Sequence, residues 1–359
     1  MTLTKLFLFI IILTVSAGQA QAQSRIVIPD ILGFKTLQCD FHMHSVFSDG
    51  LVWPTVRVHE AYREGLDAIS LTEHLEWLAF SRDVSGSYDR NRAYEIARPV
   101  ANHHDVLLIR GTEITRAMPP GHLNAIFLDD SNALIADCWR ESLAEAARQG
   151  AFIFWNHPSW RVQQPDTTLW WPEHTEILNN GWMHGIEVGN GNMFCEYSFQ
   201  WSLDKNLTMI GSSDAHHTIH AEVDFAAGEH RTKTLVFAGE RSPEAIREAL
   251  DNRRTVVFMH NKLIGREYLI RPLFENSIEV TNVVRGQNDI TVSVLNKSGL
   301  VFRLSIMEGE ETRDYEITPH GQHTITVQLP AGRGGEINFE VTNLLVRPGQ
   351  GLQLSHRIN

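Results

Sequence analysis

Two patterns of apolar and polar residues divide the chain. Between about residues 36 and 257, short continuous apolar segments alternate with segments whose apolar residues recur every three or four positions. The first pattern is typical of strands buried on both faces, and the second is typical of amphipathic helices. The predicted strands are residues 37–43, 66–71, 106–111, 123–128, 151–155, 185–188, 207–211 and 234–238.

The segments between these strands predict helices at residues 55–64, 90–102, 139–148 and 242–251. The last helix has a serine, Ser242, at its N-cap and a proline, Pro243, at its first helical position, and both are favoured there. Strands that alternate with helices indicate a parallel sheet covered on both faces. Seven or eight such units favour a closed β/α barrel over an open sheet.

After about residue 276 the pattern changes to alternation of single apolar and polar residues, at 277–281, 289–294, 301–306, 324–327 and 336–341. Alternation of this kind, interrupted by glycine and proline, predicts an antiparallel β-sandwich with one face toward water. We therefore expect a barrel domain at residues 23–275 and a smaller all-β sandwich domain at 276–359. The second domain has few clustered ligand-type residues, so we assign it a supporting role.

Residues 1–22 have a different character. Lys5 precedes an apolar segment at 6–15, and Ala20-Gln21-Ala22 resembles a cleavage site, which together predict a secretory signal peptide. The apolar segment is shorter than the roughly 20 residues that span a bilayer. We therefore expect an exported protein, periplasmic or extracellular, that is not embedded in a membrane.

The charge balance limits the choice of partners. Lysine and arginine number 31 against 43 aspartates and glutamates, a formal net charge of −12. This acidic balance argues against a nucleic-acid or anionic-membrane partner. It leaves a small phosphorylated or ester substrate open, because metal ions can supply local positive charge. The sequence does not determine the oligomeric state. The three cysteines, Cys39, Cys138 and Cys195, could all be free thiols or include one disulfide.

The most informative stretch follows the first predicted strand. His42 and His44 are two positions apart, so in an extended segment their side chains project to the same face. Asp49 follows five residues later, which would complete half of a divalent-metal site. The alternative for the pair alone is two core histidines satisfied by hydrogen bonds.

The ends of the other strands favour the metal hypothesis, because active sites of β/α barrels collect at the carboxyl ends of the strands. Histidine or carboxylate residues follow four further strands and precede a fifth: Glu73-His74, Glu113, His122, His157, and Asp214 with His216. His122 is the exception that precedes its strand. Six histidines with Asp49, Glu113 and Asp214 exceed the needs of one tetrahedral ion and predict two or three ions that share carboxylates.

In order along the chain, the motifs are H-x-H, D-G, T-E-H, G-x-E, G-H, N-H-P and S-D-A-H. Their order resembles the PHP (polymerase and histidinol phosphatase) family of metal-dependent phosphoesterases over roughly residues 36–260. The resemblance implies a distorted (β/α)7 barrel with a trinuclear centre. It assigns His42, His44, Glu113 and Asp214 to one ion, Asp49, His74 and His216 to a second, and Glu113, His122 and His157 to a third. Glu73 stands where the family commonly has aspartate, and we expect it to orient ligands.

Such a centre predicts a phosphoesterase in which a metal-bridging hydroxide attacks phosphorus. Asp214 or His217 could protonate the leaving group, and Arg116 and Arg161 could bind phosphate through their guanidinium groups. Mixed histidine and carboxylate ligation suits Zn, Mn or Fe.

Two alternatives remain open. The same centre could hydrolyse a carboxyl ester, carbamate or amide, or the protein could bind metal or sugar without catalysis. Trp160, in the loop 156–174, could stack on a substrate ring or pack the loop itself. The remaining histidines without a matching context, which include His174 and His320, are predicted at the surface.

Overall fold

The computed structural model describes residues 25–308, 311–328 and 336–357. The predicted signal peptide, residues 1–22, lies outside this part of the chain. The strands are β1 (Lys35–Asp40), β2 (Ala68–Leu71), β3 (Leu107–Ile114), β4 (Leu123–Ile126), β5 (Phe152–Trp155), β6 (Gly185–Asn190), β7 (Met193–Phe194), β8 (Thr208–Ser212), β9 (Lys233–Ala238), β10 (Thr255–Met259), β11 (Lys262–Gly265), β12 (Ile278–Arg285), β13 (Asp289–Asn296), β14 (Phe302–Glu308), β15 (Glu311–Ile317), β16 (Gln322–Gln328), β17 (Glu336–Arg347) and β18 (Gln350–Arg357).

The helices are α1 (Pro54–Glu64), α2 (Arg92–His104), α3 (Trp139–Arg148), α4 (Pro172–Asn179), α5 (Glu196–Asp204), α6 (Ile219–Glu222), α7 (Pro243–Asp251) and α8 (Glu267–Ser277). Helix α3 has the predicted bounds. Helix α7 begins after Ser242, whose hydroxyl accepts a hydrogen bond from the amide of Ala245, as its N-cap position predicts. No helix in the described ranges combines the length and the apolar character needed to cross a membrane.

The fold is mixed α/β, with a sheet rich in parallel pairs. Strands β1, β2 and β3 are parallel neighbours, and so are β5, β6 and β8. Strand β4 joins the two groups and is antiparallel to both β3 and β5. The link from β3 to β4 is short and contains no helix, so it reverses the chain instead of crossing over the sheet.

Strands β9, β10 and β11 also depart from the expected parallel order. Strand β9 is antiparallel to β1, and β10 is antiparallel to both β9 and β11. The turn between β10 and β11 consists of His260 and Asn261, whose φ angles of 48° and 56° suit a two-residue hairpin turn. Strand β8 is paired with β6, and on its other side the hydroxyl of Thr234 in β9 bonds to the amide and carbonyl groups of Gly211.

The C-terminal β domain is antiparallel, as predicted. Strands β12, β13 and β16 form one sheet, while β14, β15, β17 and β18 continue the large sheet because β17 pairs in parallel with β11. Strands β15 and β18 were not predicted. Apolar side chains of this domain share one core with β9, β10 and α8, including Phe237, Phe258, Leu273, Phe302 and Val341.

All three cysteines lie in the described part of the chain, and their thiols are free. The disulfide that the sequence left open is therefore not formed.

Candidate metal centre

The two histidines of the first motif lie immediately beyond β1 and are fully buried. Main-chain hydrogen bonds hold this segment against the loop after β8, from the amide of His44 to the carbonyl of Ala215 (3.0 Å) and from the amide of Asp214 to the carbonyl of His42 (2.9 Å). The two Nε2 atoms are 3.2 Å apart. Both imidazoles therefore point at one place, as their spacing predicts.

A tight turn after His44 returns the chain to the histidines. The amides of Ser48 and Gly50 both bond to the carbonyl of Ser45. A Cβ atom at Gly50 would lie 2.6 Å from the main chain of His44, so a side chain there would force the two segments apart. The turn places Asp49 Oδ1 3.6 Å from Nδ1 of His44.

Glu73 stabilises this turn and does not face the ligand atoms. Its carboxylate accepts hydrogen bonds from the amide of Ser45 (3.0 Å) and from the hydroxyls of Ser45 and Ser48. Burial raises the pKa of Glu73. These contacts fit the orienting role expected of Glu73.

Glu113 lies at the centre of the cluster. Its Oε1 atom is 3.0 Å from Nδ1 of His122, 3.4 Å from Nε2 of His157 and 3.5 Å from Nε2 of His42. Its Oε2 atom is 2.6 Å from Nδ1 of His74. A carboxylate with both oxygens among imidazole nitrogens is placed to bridge ions.

The direction of β4 explains why His122 precedes its strand. Because β4 is antiparallel to β3 and β5, its first residue, Leu123, pairs with Ile114 near the end of β3 and with Trp155 at the end of β5. His122 therefore reaches the same edge of the sheet as His157, and their ring centroids are 5.0 Å apart.

The loop after β8 supplies Asp214 and His216. Oδ1 of Asp214 is 3.2 Å from Nε2 of His42 and 3.1 Å from Nε2 of His44. His216 Nε2 is 3.3 Å from Oδ2 of Asp49. Asp214 and His157 have positive φ angles of 51° and 30°, a strained conformation that is common at functional sites.

All nine residues that the sequence predicted as ligands come together. Their ligand atoms form four groups, in each of which the atoms lie within 4.8 Å of one another: His44 with Asp49, His74 and His216; His42 with His44 and Asp214; His42 with Glu113 and His157; and His74 with Glu113 and His122. The first group contains the ligands expected for the second ion, with His44 added. His122 and His157, expected on one ion, fall in different groups.

Electrostatics within the cluster favour bound cations. Burial opposes protonation of His42, yet Asp214, Glu187 and Glu113 raise its pKa to about 10. Burial likewise opposes protonation of His74, while Glu113 and Asp49 raise the pKa of this imidazole to about 10. The cluster therefore attracts positive charge, which a divalent ion provides.

Buried polar atoms provide a second test of whether the cluster suits bound metal ions. Four buried atoms of the cluster make no well-aligned hydrogen bond among the described residues, namely Asp49 Oδ1, Glu113 Oε2, His157 Nδ1 and Asp214 Oδ1. The three carboxylate oxygens among them lie close to imidazole nitrogens instead. Buried polar atoms are seldom left without a partner. The residues present fit a group of divalent metal ions.

Glu187 was not predicted as a site residue; it lies inside β6 and is fully buried. Its Oε1 atom is 2.8 Å from Nδ1 of His42 and also accepts a hydrogen bond from the hydroxyl of Ser212. Its Oε2 atom accepts hydrogen bonds from the amide of His157 (2.6 Å) and from Nδ2 of Asn190 (2.9 Å). A carboxylate next to a metal-binding histidine fixes the tautomer and the ring orientation.

The two arginines proposed for substrate binding already have protein partners. The guanidinium of Arg116 is 2.8 Å from Glu76 and donates to the carbonyls of Ala136 and Asp137. Arg161 is exposed and donates to two main-chain carbonyls, at residues 165 and 166.

Aromatic side chains and one further histidine surround the cluster. The indole of Trp77 is about half exposed, and its ring centroid is 5.3 Å from that of His74. Trp160 lies beside His157, and the two ring centroids are 5.2 Å apart. His217 is exposed beside the predicted ligand His216, and its amide donates a hydrogen bond to Glu222.

Comparison with known proteins gives a similarity that extends over nearly the whole chain. A two-domain protein from Bacteroides vulgatus, which contains a predicted PHP-like metal-dependent phosphoesterase, is 52% identical, with a TM-score of 0.90. The alignment covers 94% of this chain and 100% of that one. Residues 277–357 match the family model of an Ig-like domain.

Two further structures are much less similar. A proposed metal-dependent phosphoesterase from Bifidobacterium adolescentis is 15% identical (TM-score 0.40, covering 51% of this chain and 89% of that one). An amidohydrolase from Chromobacterium violaceum, with bound sulfate and no metal, is 13% identical (TM-score 0.39, covering 62% and 97%). No curated protein matches the chain.

Proposed function

The chain belongs to the family of PHP-like metal-dependent phosphoesterases, and from this premise we propose that it hydrolyses phosphate esters at divalent ions held by its nine-residue cluster. The observation that carries the proposal is the convergence of the nine ligand-type side chains, from distant parts of the chain, at one edge of the sheet. The four buried polar atoms without a well-aligned hydrogen bond support it, because ligation would satisfy them.

We assign two or three ions to the cluster and infer that they are Zn, Mn or Fe, which mixed imidazole and carboxylate ligation suits. When bound, such ions supply a water molecule of lowered pKa as the attacking group and positive charge for the phosphoryl oxygens. His42, His44, Asp214 and the shared carboxylate of Glu113 would hold one ion. Asp49 with His74 and His216 would hold the second, and Glu113 with His122 and His157 the third.

The chain's own residues orient the centre. Oε1 of Glu187 accepts a hydrogen bond from Nδ1–H of His42, which leaves Nε2 free to bind an ion. The amide Nδ2 of Asn190 donates to Glu187 (2.9 Å) and to Oδ2 of Asp214 (3.2 Å), so it links the two carboxylates.

Of the two residues considered as proton donor, we assign the role to His217. Burial opposes ionisation of Asp214, but His42 and His44 lower the pKa of its carboxyl group, so it suits ligation better than proton donation. His217 is exposed beside the cluster and is free to approach a leaving group.

The experiment that tests the proposed function compares three substrates. Protein from residue 23 onward, loaded with Mn or Zn, is assayed with a nitrophenyl phosphate monoester, the corresponding diester and a nitrophenyl carboxyl ester. The control is Asp214→Asn, which removes a ligand atom without changing size. We expect turnover of a phosphate ester that the substitution abolishes. Bound metal without turnover of any ester would count against hydrolysis and favour a binding protein.

The second candidate function is hydrolysis of a carboxyl ester, carbamate or amide. It is favoured by the partners of Arg116 and Arg161, because both guanidinium groups are already bonded to protein atoms and a phosphate would have to displace them. Turnover of the carboxyl ester alone, lost in Asp214→Asn, would select this candidate.

We retain three further assignments as proposals. The first is a distorted (β/α)7 barrel at residues 23–275, which the hydrogen bonds of Thr234 to Gly211 across the β8–β9 gap support. The second is a separate domain from residue 276. The third is export to the periplasm or the exterior after removal of residues 1–22, and N-terminal sequencing of protein recovered from those fractions would test it.

A further inference from the structure

A cavity of about 610 Å³ lies away from the metal cluster, between α1, the segment that follows the last ligand His216, and the C-terminal β domain. Its volume falls within the range of about 300–1,000 Å³ typical of small-molecule sites. No proposed metal ligand lines it. The lining includes Glu60, Glu64, Ile219, Phe225, Lys233 and Val301.

The side chain of Lys233 borders this cavity and has few partners. The residue is 2% exposed, and Gln38 Oε1, at 3.3 Å, is the acceptor of its ammonium within the described ranges. The ring of Phe258 lies 6.0 Å from Nζ. An ammonium group has three N–H donors, so two of them have capacity for a ligand. Burial lowers the pKa of Lys233 to about 8 despite the nearby Glu64.

The carboxylates around the cavity already have donors. Both oxygens of Glu64 bond to the guanidinium of Arg231. Glu60 accepts hydrogen bonds from Arg57 (2.8 Å) and from the amide of Ile219 (2.8 Å).

The other titratable side chains of the lining are Arg63, His220, Glu229 and His230. Glu229 accepts a hydrogen bond from the amide of Asp224, and the ring of His220 packs against that of Phe225. The ammonium of Lys233 is therefore a buried cation with one hydrogen-bond acceptor among the described residues, and its side chain borders the cavity. Glu64 and Asp40 act on it through their charge and not through a hydrogen bond.

We propose that this cavity binds a small organic or phosphorylated oxyanion, with its carboxylate or phosphate group on the ammonium of Lys233. A charge-assisted hydrogen bond to a buried ammonium is stronger than one between neutral groups. Ile219, Phe225 and Val301 provide apolar surface for the carbon skeleton of the ligand. The ligand thus binds between the two parts of the chain, and its binding does not depend on hydrolysis at the metal cluster.

The test is calorimetric titration of the metal-loaded full chain with succinate in one arm and inorganic phosphate in the other. The variant Lys233→Met removes the charge and keeps the length of the side chain. The matched control is Lys262→Met, at an exposed lysine of β11. We expect at least one arm to bind with an affinity that falls tenfold or more in Lys233→Met and stays unchanged in Lys262→Met. The responsive arm identifies the anion as a carboxylate or a phosphate.

Equal affinity in wild type and Lys233→Met, in both arms, would overturn the proposal. A second measurement needs no variant and covers the case in which Lys233→Met fails to fold. Native protein is methylated reductively with and without the anion, and labelling of Lys233 is followed by mass spectrometry. We expect the anion to reduce that labelling at least threefold while Lys262 is labelled equally. No protection by either anion would refute the site, whatever the outcome of the ester assays.

Discussion

Nδ1 of His42 lies 2.8 Å from Oε1 of Glu187, a residue 145 positions later in the chain. This contact leaves Nε2 of His42 to face Asp214 at 3.2 Å. Because the same carboxylate also accepts a hydrogen bond from the amide of His157, one buried residue orients two proposed ligands. Glu187 therefore links β6 to the ends of β1 and β5.

Glu187→Gln should weaken metal binding. The amide keeps the size of the side chain. However, it places an N–H₂ donor opposite groups that already donate hydrogen bonds to the carboxylate. Loss of a hydrogen bond that orients a metal-binding histidine typically lowers metal affinity 10–100-fold. We expect a decrease of that order, measured by competition with a chromophoric chelator. Glu196→Gln, at an exposed position in α5, is the control, and unchanged affinity in Glu187→Gln would show that the contact does not orient His42.

The third proposed ion can be tested by metal content. His122 and His157 each approach Oε1 of Glu113, at 3.0 Å and 3.4 Å, but fall in different ligand groups. If they share one ion, His122→Asn and His157→Asn should each lose about one equivalent of metal, and the double variant should lose no more than either single variant. Elemental analysis of dialysed protein measures this.

The control for metal content is His217→Asn, whose exposed imidazole lies outside the four groups and should not change the number of ions. A double variant that loses two equivalents would instead assign the two histidines to separate ions.

His174 was predicted at the surface, and this prediction was wrong. The residue is fully buried, its ring is stacked on Trp155 with a centroid distance of 3.7 Å, and Nε2 bonds to the carbonyl of Pro120. Burial lowers the pKa of His174 to about 4, so the neutral form is favoured in the folded state. Its contribution to stability is complete above the unfolded pKa of about 6.5 and is lost as the pH falls toward 4.

The change that exposes this effect is His174→Gln, because the amide keeps a donor and an acceptor but does not titrate. We expect the free energy of unfolding of the wild type to fall by up to about 2 kcal/mol more than that of the variant between pH 6.5 and pH 5. Urea unfolding at each pH measures it. His320→Gln, at an exposed position, should follow the wild type, and parallel pH profiles for wild type and His174→Gln would contradict the prediction.

The sequence predicted the strands that carry the proposed ligands because their apolar segments are continuous and are flanked by polar residues. Eight predicted strands correspond to β1–β6, β8 and β9, and helix α3 has its predicted bounds. The direction of β4 was not predicted, because continuous apolar character does not distinguish a parallel from an antiparallel neighbour when both faces are buried. The short connection from β3 was the available signal, since parallel strands need a longer crossover.

Glu187 could not be found in the same way. It lies within β6 and not at its end, and its partner His42 is remote in sequence. A single carboxylate in an apolar strand, followed three residues later by Asn190, was the signal that could have drawn attention to it. A buried glutamate needs partners, and those partners become visible when the strands are placed side by side.

The two proposed substrate arginines should behave differently when they are replaced. Arg116 bonds to Glu76 and to two carbonyls, so Arg116→Gln should lower the free energy of unfolding by about 1–2 kcal/mol and leave KM unchanged.

Arg161 is exposed, bonds only to carbonyls of its own loop among the described residues, and can turn toward a bound phosphate. Arg161→Gln should therefore raise KM for a phosphate ester by roughly 5–30-fold, equivalent to about 1–2 kcal/mol, without changing kcat. Steady-state kinetics and urea unfolding of both variants measure these effects. A KM unchanged in Arg161→Gln and raised in Arg116→Gln would reverse the assignment, because it would mean that the substrate displaces Glu76 from Arg116.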